Sequence, residues 1–294
     1  MATVATTGEI DDLGVLAPSG GRGKVVGSLS SPLVVISLLV LLAAVVCAIA
    51  PGLIWHQNPL ALDPPRALGR PTLTDPFGAD QYGRSILAQI IFGARNAMLI
   101  GIISVLIGGI SGGVVGLVSG YFGGPVDMIL MRCIDVLMLF PGILLALLIA
   151  AALGPSLPNE IVAVGVASIP AYARVMRGQV LAVRSRPYID AAVAVGIPPS
   201  RILWRHIVPN ALAPMVVLGT IGVGTGIVLG ASLSFLGLGP TTGVPDWGRL
   251  LAAGEPYLNG AWWISTFPGL VVTLVVVAIN ILGDRLRDVL DVSS

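Results

Sequence analysis

Six long apolar segments alternate with polar stretches along this chain of 294 residues. Each apolar segment has about 20 residues or more, the length that an α-helix needs to cross a hydrocarbon layer of roughly 30 Å. The pattern therefore predicts an all-α, polytopic membrane protein with six transmembrane helices, at 31–55, 95–120, 128–153, 159–180, 208–231 and 262–283.

The polar stretches divide the chain further. Residues 1–28 are rich in Gly, Ser and Thr with little periodicity, which predicts a disordered tail and leaves 29–294 as the transmembrane domain. Two polar connections are long, 57–94 and 237–261. The first ends in an apolar pattern at helical spacing, which predicts an amphipathic helix leading into the second span.

The first apolar run, Pro32–Ala50, ends in an Ala-Ile-Ala sequence that resembles a signal-peptide cleavage site. Pro51 would follow the cut, however, and the run is longer than the roughly 7–15 apolar residues of a signal peptide. We therefore expect an uncleaved first transmembrane helix.

Composition supports the membrane class. The chain is 55% hydrophobic and 11% charged, with a mean hydropathy of +0.94, whereas soluble domains carry roughly 25% charged residues. The net charge of +1 predicts no nucleic-acid partner. Cys47 and Cys133 lie in separate apolar runs without metal-ligand spacing, so neither a disulfide framework nor a metal site is expected.

Basic residues indicate the orientation, because cytoplasmic segments carry an excess of Lys and Arg. With the amino terminus inside, eleven basic residues lie in cytoplasmic segments and five outside, which predicts that both termini are cytoplasmic. The connection 181–207 is then cytoplasmic, and 57–94 and 237–261 are extracytoplasmic.

The connection 181–207 has an ordered arrangement of helix-breaking residues. We predict a short helix over Tyr188–Val195 after Pro187, with Gly196 as its left-handed C-terminal cap. Ser200 then caps a second short helix, and Pro209 stops or kinks that helix before the next span. A simple connection between two spans would not need such a pattern.

The same segment resembles the EAA motif of ABC-importer permeases. Asp190-Ala191-Ala192, three residues, Gly196 and nine residues lead to His206-Ile207-Val208-Pro209, with three mild departures at Asp190, His206 and Val208. In that family this loop is the surface on which the ATPase acts. The resemblance implies an ATPase-coupling role for a set of residues: Asp190, Ala191, Ala192, Gly196, Arg201, Arg205, His206 and Pro209.

The chemistry of these residues fits a docking surface, although it leaves alternatives open. The small side chains of Ala191 and Ala192 would let a partner approach the backbone closely. Arg201 and Arg205, four residues apart on one helix, would meet acidic groups of an ATPase or lipid phosphates. For His206, structural packing is the favoured interpretation.

Other segments are similar to the permeases of peptide and nickel importers. They run from about residue 78 to the carboxyl end: Gly78-Ala79-Asp80-Gln81-Tyr82-Gly83-Arg84, Phe92-Gly93-Ala94-Arg95, Ser119–Gly124, His206–Ala211, Ala231–Gly239, Trp247-Gly248, Phe267-Pro268-Gly269 and Leu282–Asp288. By this resemblance the chain is identified as a C-type permease of dipeptide/oligopeptide ABC importers in the cell (inner) membrane. Ser85 stands where that family usually has Asp.

The resemblance implies a type I ABC-importer permease fold and a set of partners. They are a second homologous permease, two ATPase subunits or one fused ATPase, and an extracytoplasmic substrate-binding protein. The chain lacks a phosphate-binding G-x-x-x-x-G-K-[ST] loop. It is therefore expected to be non-catalytic and to bind no cofactor itself, with ATP and Mg on the partner ATPases.

Glycines at intervals of four residues predict close helix–helix contacts within the membrane. Such contacts serve either static packing or sliding of helices during gating. They are expected at Gly108, Gly112, Gly116 and Gly120 in the second span, and at Gly222, Gly226 and Gly230 in the fifth.

Pro141-Gly142 should kink or interrupt the third span. Asp135, which precedes it, either faces the bundle interior or lies near the boundary and pairs with Arg132.

The two long extracytoplasmic loops are expected to dock the binding protein. Trp247 and Tyr257 would anchor it, or else lie at the bilayer interface. Within the same class, import of nickel chelates or glutathione is the alternative to peptides. An ion-coupled secondary transporter would need more intramembrane ionisable residues and an internal repeat, and a membrane enzyme would need an assembled catalytic set.

Overall fold

A computed structural model describes residues 31–241 and 243–291, and the tail predicted at 1–28 lies outside them. Apart from one isolated bridge between Ala79 and Ser85, the described residues contain no strand. The longer helices are α1 (Pro32–Ile49), α2 (Ile86–Phe122), α3 (Gly124–Met138), α4 (Gly142–Leu153), α5 (Leu157–Arg184), α6 (Pro187–Ala194), α7 (Val208–Phe235), α8 (Trp247–Gly254) and α9 (Trp263–Asp291).

Helix α2 contains 37 residues and packs along α5. Its amino terminus is capped by Ser85, whose hydroxyl accepts a hydrogen bond from the Ala88 N–H. The predicted amphipathic helix and the second span are thus one helix that starts at Ile86, not at 95, because no breaking residue separates them. The connection predicted at 57–94 is correspondingly shorter and ends at residue 85.

Glycines lie where α2 meets α5. A Cβ atom added at Gly112 would lie 2.5 Å from the Ile169 carbonyl oxygen, and one at Gly120 would lie 2.9 Å from Val180. Only glycine lets the two backbones approach this closely. Gly108 and Gly116 face α5 in the same way.

On α7, Gly222 faces the Tyr172 hydroxyl, and Gly226 and Gly230 face α2. All seven predicted packing glycines therefore lie at helix contacts in this conformation.

The third apolar segment is broken, as Pro141-Gly142 predicts. Helices α3 and α4 meet at an angle of 87°. Pro141 has no N–H to continue the hydrogen bonding of α3, and its extended backbone starts α4 instead.

Four helices in the described part of the chain are long and apolar enough to cross a membrane, and the bent pair α3–α4 would make a fifth. Helix α5 has 28 residues but is not among them. It carries polar and charged side chains: Asn159, Glu160, Arg174, Arg177 and Arg184. The all-α, multi-pass class is confirmed, while the count of six spans and the position of the termini stay predictions.

Within the described residues, three apolar cores hold the helices together. One joins α1, α2, α8 and α9, a second joins α2 to α4 and α5, and a third lies beneath α6 and the start of α7. The third core supports the segment with the EAA-like sequence.

Candidate functional site

The coupling segment, defined here as residues 187–209, begins with helix α6. Its end has the predicted glycine cap, since Gly196 has φ of +82°. The Gly196 N–H donates to the Val193 carbonyl at 2.9 Å, and the Ile197 N–H donates to the Ala192 carbonyl at 3.1 Å. These two bonds form a Schellman motif. They fix the direction in which the chain leaves α6.

The second predicted short helix is not separate. A turn at Pro199–Ile202 continues through a π-helical turn at Leu203–Ile207 directly into α7. The expectation that Ser200 caps this helix is wrong, because the N-cap position is Pro198.

The π-turn explains why Pro209 neither stops nor separates the helix. Proline lacks an N–H and its ring crowds the carbonyl four residues earlier, and a π-turn changes the hydrogen bonding at that point. The Val208 N–H donates to the carbonyl of Leu203, five residues back. The Asn210 side chain donates to the His206 carbonyl at 2.6 Å.

Isoleucines anchor the coupling segment to the bundle. Ile189 and Ile202 are each 4% exposed and Ile207 is 1% exposed. They pack in one core with Val180 of α5 and Met215 of α7. A force applied to the outer surface of α6 would therefore reach two long helices through packed side chains.

The outer surface of the segment contains most of the predicted coupling residues. Asp190, Ala191, Gly196, Arg201, Arg205 and Pro209 are exposed, while Ala192 and His206 are half-buried. His206 lies beside Tyr188, with ring centroids 6.2 Å apart, which agrees with a packing role.

Large apolar side chains of the coupling segment are also exposed, and they were not predicted as site residues. Trp204 is 65% exposed, Val193 61% and Val195 82%. The spacing of apolar residues in the sequence does not indicate that these side chains are exposed. The coupling segment therefore exposes apolar side chains as well as Arg201 and Arg205.

The coupling segment also contacts the end of α2. The Tyr121 hydroxyl donates to the Pro199 carbonyl at 3.3 Å. Arg184 donates to the Tyr121 carbonyl at 2.6 Å. These polar contacts join residues far apart in sequence, so a motif search does not find them.

Two ion pairs join α3 to α5. Arg177 contacts both carboxylate oxygens of Asp127 at 2.6 Å, and Asp127 also accepts from Ser119. Asp135 pairs with Arg174 at 2.7 Å. Asp135 is half-exposed and its partner is on another helix, so pairing with Arg132 is not observed.

The connection before α2 is ordered by Asp80, which is 1% exposed. Its carboxylate accepts from the Tyr82 and Arg84 N–H groups at 2.9 Å and from the Arg84 side chain at 2.7 Å. The Gln89 side chain of α2 donates to it at 3.0 Å. This network attaches the loop firmly to α2.

Trp247 does not present a docking surface. It is 2% exposed, and its indole N–H donates to the Ile90 carbonyl of α2 at 2.9 Å. Both predicted roles, partner anchor and bilayer anchor, need an accessible ring and are therefore wrong in this conformation. Tyr257 is half-buried and packs against the same core. The connection 237–261 contains α8 and is not an irregular loop.

A cavity of about 440 Å³ lies between the connection that precedes α2 and the connection 237–261. Both apolar and polar side chains line it, among them Leu60, Gln81, Tyr82, Arg84 and Arg249. Over the described ranges, no group of three or more His, Cys, Asp or Glu residues could hold a metal ion.

Comparison with known proteins agrees with this arrangement. Residues 112–293 match the family described as "Binding-protein-dependent transport system inner membrane component". The dipeptide transport system permease protein DppC of Alkalihalophilus pseudofirmus is 38% identical over 259 residues, which are 88% of this chain and 85% of that protein. The glutathione transport system permease protein GsiD of Pectobacterium atrosepticum is 43% identical over 215 residues, 73% and 71% of the two chains.

Two solved structures have a similar fold. One is an inward-facing MetNI methionine ABC transporter, with a TM-score of 0.57 and 20% identity over 69% of this chain and 97% of that chain. The other is an amino acid ABC transporter with histidines, with a TM-score of 0.52 and 16% identity over 70% and 92%.

Proposed function

Because this chain belongs to the family of binding-protein-dependent transport system inner membrane components, we propose that it is the permease subunit of an ATP-driven importer of dipeptides or oligopeptides. It forms half of the translocation pore, and a second homologous permease forms the other half. Two ATPase subunits, or one fused ATPase, hydrolyse ATP in the cytoplasm, and an extracytoplasmic binding protein delivers the peptide.

The observation that carries this proposal is that the coupling segment is exposed on one side and packed against two long helices on the other. Asp190, Gly196 and Trp204 are exposed, while Ile189, Ile202 and Ile207 are buried against α5 and α7. An ATPase that moves this surface displaces both helices together, because packed interiors transmit displacement with little compression. The helices then convert that displacement into alternating access.

The coupling must also act in the opposite direction, because linked binding equilibria are reciprocal. Arrival of the loaded binding protein outside should change the affinity of the ATPase subunits for nucleotide inside. The permease itself transmits this change without taking part in the chemistry.

The test is uptake of a radiolabelled dipeptide into proteoliposomes that contain the chain with its partner permease, ATPases and binding protein. We expect uptake that needs ATP and stops when the binding protein is left out. Uptake by this chain alone without ATP would instead favour an ion-coupled transporter.

Glutathione is the second substrate that a specific observation favours, namely the 43% identity to a glutathione transport system permease. Unlabelled glutathione and a nickel chelate in excess should leave dipeptide uptake unchanged if peptides are the substrate. Competition by glutathione together with direct uptake of labelled glutathione would replace the peptide assignment and leave the ABC-importer class in place.

A further inference from the structure

A buried carboxyl group without a cation lies where three helices meet. Glu160, in the first turn of α5, is 0% exposed. One of its oxygens accepts a hydrogen bond from the Ser234 hydroxyl of α7 at 3.0 Å. Its other oxygen, Oε2, is buried and has no hydrogen-bond partner. An unpaired, desolvated carboxylate is among the least favourable groups in a protein interior.

A second buried acid faces the same hydroxyl. Asp246, which is 4% exposed, caps the amino terminus of α8 by accepting from the Arg249 N–H at 3.0 Å. The Ser234 hydroxyl also faces Asp246, and the two carboxyl groups are close enough to repel each other when both are charged. A hydroxyl has one hydrogen to donate, so it cannot satisfy both acids.

The surrounding groups decide which acid stays charged. Burial raises the pKa of Asp246, but the backbone N–H groups of Gly248 and Arg249 and the charge of Arg249 oppose this effect. The charged form of Glu160 has no such stabilising neighbours. Helix α2 places the apolar Ile100 near it, and no basic side chain in the described part of the chain pairs with it. The amino-terminal dipole of α5 favours a charged Glu160, but this effect is small beside the cost of burying the charge.

We propose that Glu160 holds a proton and, as a neutral acid, fixes the extracytoplasmic ends of α5 and α7 to the start of α8. Loss of this proton would place two carboxylates around Ser234 and push α8 away. The proton exchanges with the extracytoplasmic solution, so external pH biases the arrangement of these ends.

The position of this group connects it to transport. Helices α5 and α7 are the two that hold the coupling segment at their other ends. Each has 28 residues, a length of about 42 Å at 1.5 Å per residue. Glu160 therefore acts as a positioning residue at the far end of the pair of helices that the coupling segment moves.

Glutamine is the discriminating substitution, because it has the shape of the neutral acid, accepts from Ser234 and cannot ionise. We expect Glu160→Gln to keep dipeptide uptake within about twofold of wild type at external pH near 6, and to change little up to about pH 9. Wild-type uptake should fall about threefold or more over that range, in which buried glutamates are known to titrate. Glu255→Gln, at an exposed acid of the same connection, is the matched control and should follow wild type.

A second measurement does not depend on the proposed function. Full-length protein in detergent-solubilised membranes is heated at a series of pH values, and the fraction that stays soluble is measured. A group that binds its proton more tightly in the folded state stabilises the fold at low pH, and this stabilisation is lost as pH rises above the unfolded-state pKa of about 4.3. Between about pH 5 and 8, wild type should lose heat resistance more steeply than Glu160→Gln.

Each outcome decides the proposal. A Glu160→Gln protein present at wild-type levels but inactive would overturn it, since the charged carboxylate, or a cation bound to it, would then be what transport needs. Equal pH profiles for wild type and Glu160→Gln in the heating measurement would also overturn it. If the heat resistance of wild type and Glu160→Gln depends on pH in the same way, only the proposal for Glu160 fails. If wild type shows no dipeptide uptake, the proposed function fails.

Discussion

The backbone of Gly196 has φ of +82°, and a Cβ atom added there would meet nothing within 4 Å. Substitution therefore costs backbone conformational energy, about 1–2 kcal/mol, without a steric clash. We expect Gly196→Ala to keep normal membrane levels and to lose part of the uptake. Gly196→Glu, which adds a charge to the exposed surface, should lose most of it.

The matched control for Gly196 is Gly178. It also has open space around it, but it lies within helix α5 with ordinary helical angles. Gly178→Ala should be neutral or slightly stabilising. If Gly196→Glu transports like wild type, the glycine cap has no part in coupling.

Because Trp247 is buried, we expect it to stabilise the fold and not to bind a partner. Replacing it with alanine would leave a cavity beside Gly93 and remove the hydrogen bond to Ile90. Loss of a buried Trp side chain costs about 3–5 kcal/mol. We expect Trp247→Ala to lower the amount of folded protein in the membrane, measured by resistance to heat or protease, whether or not the binding protein is present. A stable Trp247→Ala protein with lost binding-protein stimulation would restore the docking role.

At the scale of elements, sequence was most reliable where a single local rule decides the structure. The cap at Gly196 and the break at Pro141 follow from backbone geometry and were predicted correctly. The cap at Ser200 was not, because Pro198 occupies the N-cap position. Pro209 does not stop the helix, because a π-turn can absorb a proline at the start of a long helix. The contacts of Asp135 with Arg174 and of Trp247 with Ile90 join distant parts of the chain, and only the fold brings them together.

The two ion pairs between α3 and α5 allow an element-scale prediction. Asp127 is 20% exposed and accepts two hydrogen bonds from Arg177, whereas Asp135 and Arg174 are 49% and 50% exposed. Hydrogen bonds to charged groups contribute about 1.5–3 kcal/mol, while exposed ion pairs contribute about 0–1 kcal/mol. Asp127→Asn should thus lower the heat resistance of the protein clearly more than Asp135→Asn does. If the two substitutions lower heat resistance equally, both ion pairs are exposed to solvent to the same degree.

At the scale of the whole molecule, α5 and α7 connect the two ends of the protein. The coupling segment lies between them in sequence and packs against both, and Glu160 and Ser234 join their opposite ends. The glycines of α2 let α5 approach closely along its length. Because both connections are made by packed or hydrogen-bonded side chains, a displacement at one end has a direct mechanical route to the other.

This interpretation requires that the two ends lie on opposite sides of the membrane. The excess of basic residues in one set of connections predicts that the coupling segment is cytoplasmic and that 237–261 is outside. Cysteine labelling can test this after Cys47 and Cys133 are replaced by serine. Residue 247 is a poor labelling position because it is buried, whereas Val195 is 82% exposed and Leu258 is 48% exposed.

We expect a membrane-impermeant maleimide to label Leu258→Cys in intact spheroplasts and to leave Val195→Cys unlabelled until the membrane is permeabilised. The reagent carries a charge that cannot cross the hydrocarbon layer, so labelling reports the side of the membrane directly. Labelling of Val195→Cys in sealed spheroplasts would place the coupling segment outside, where no ATP-hydrolysing subunit acts. The orientation and the coupling mechanism would then fail together, because the surface around Asp190 and Trp204 would face the wrong compartment.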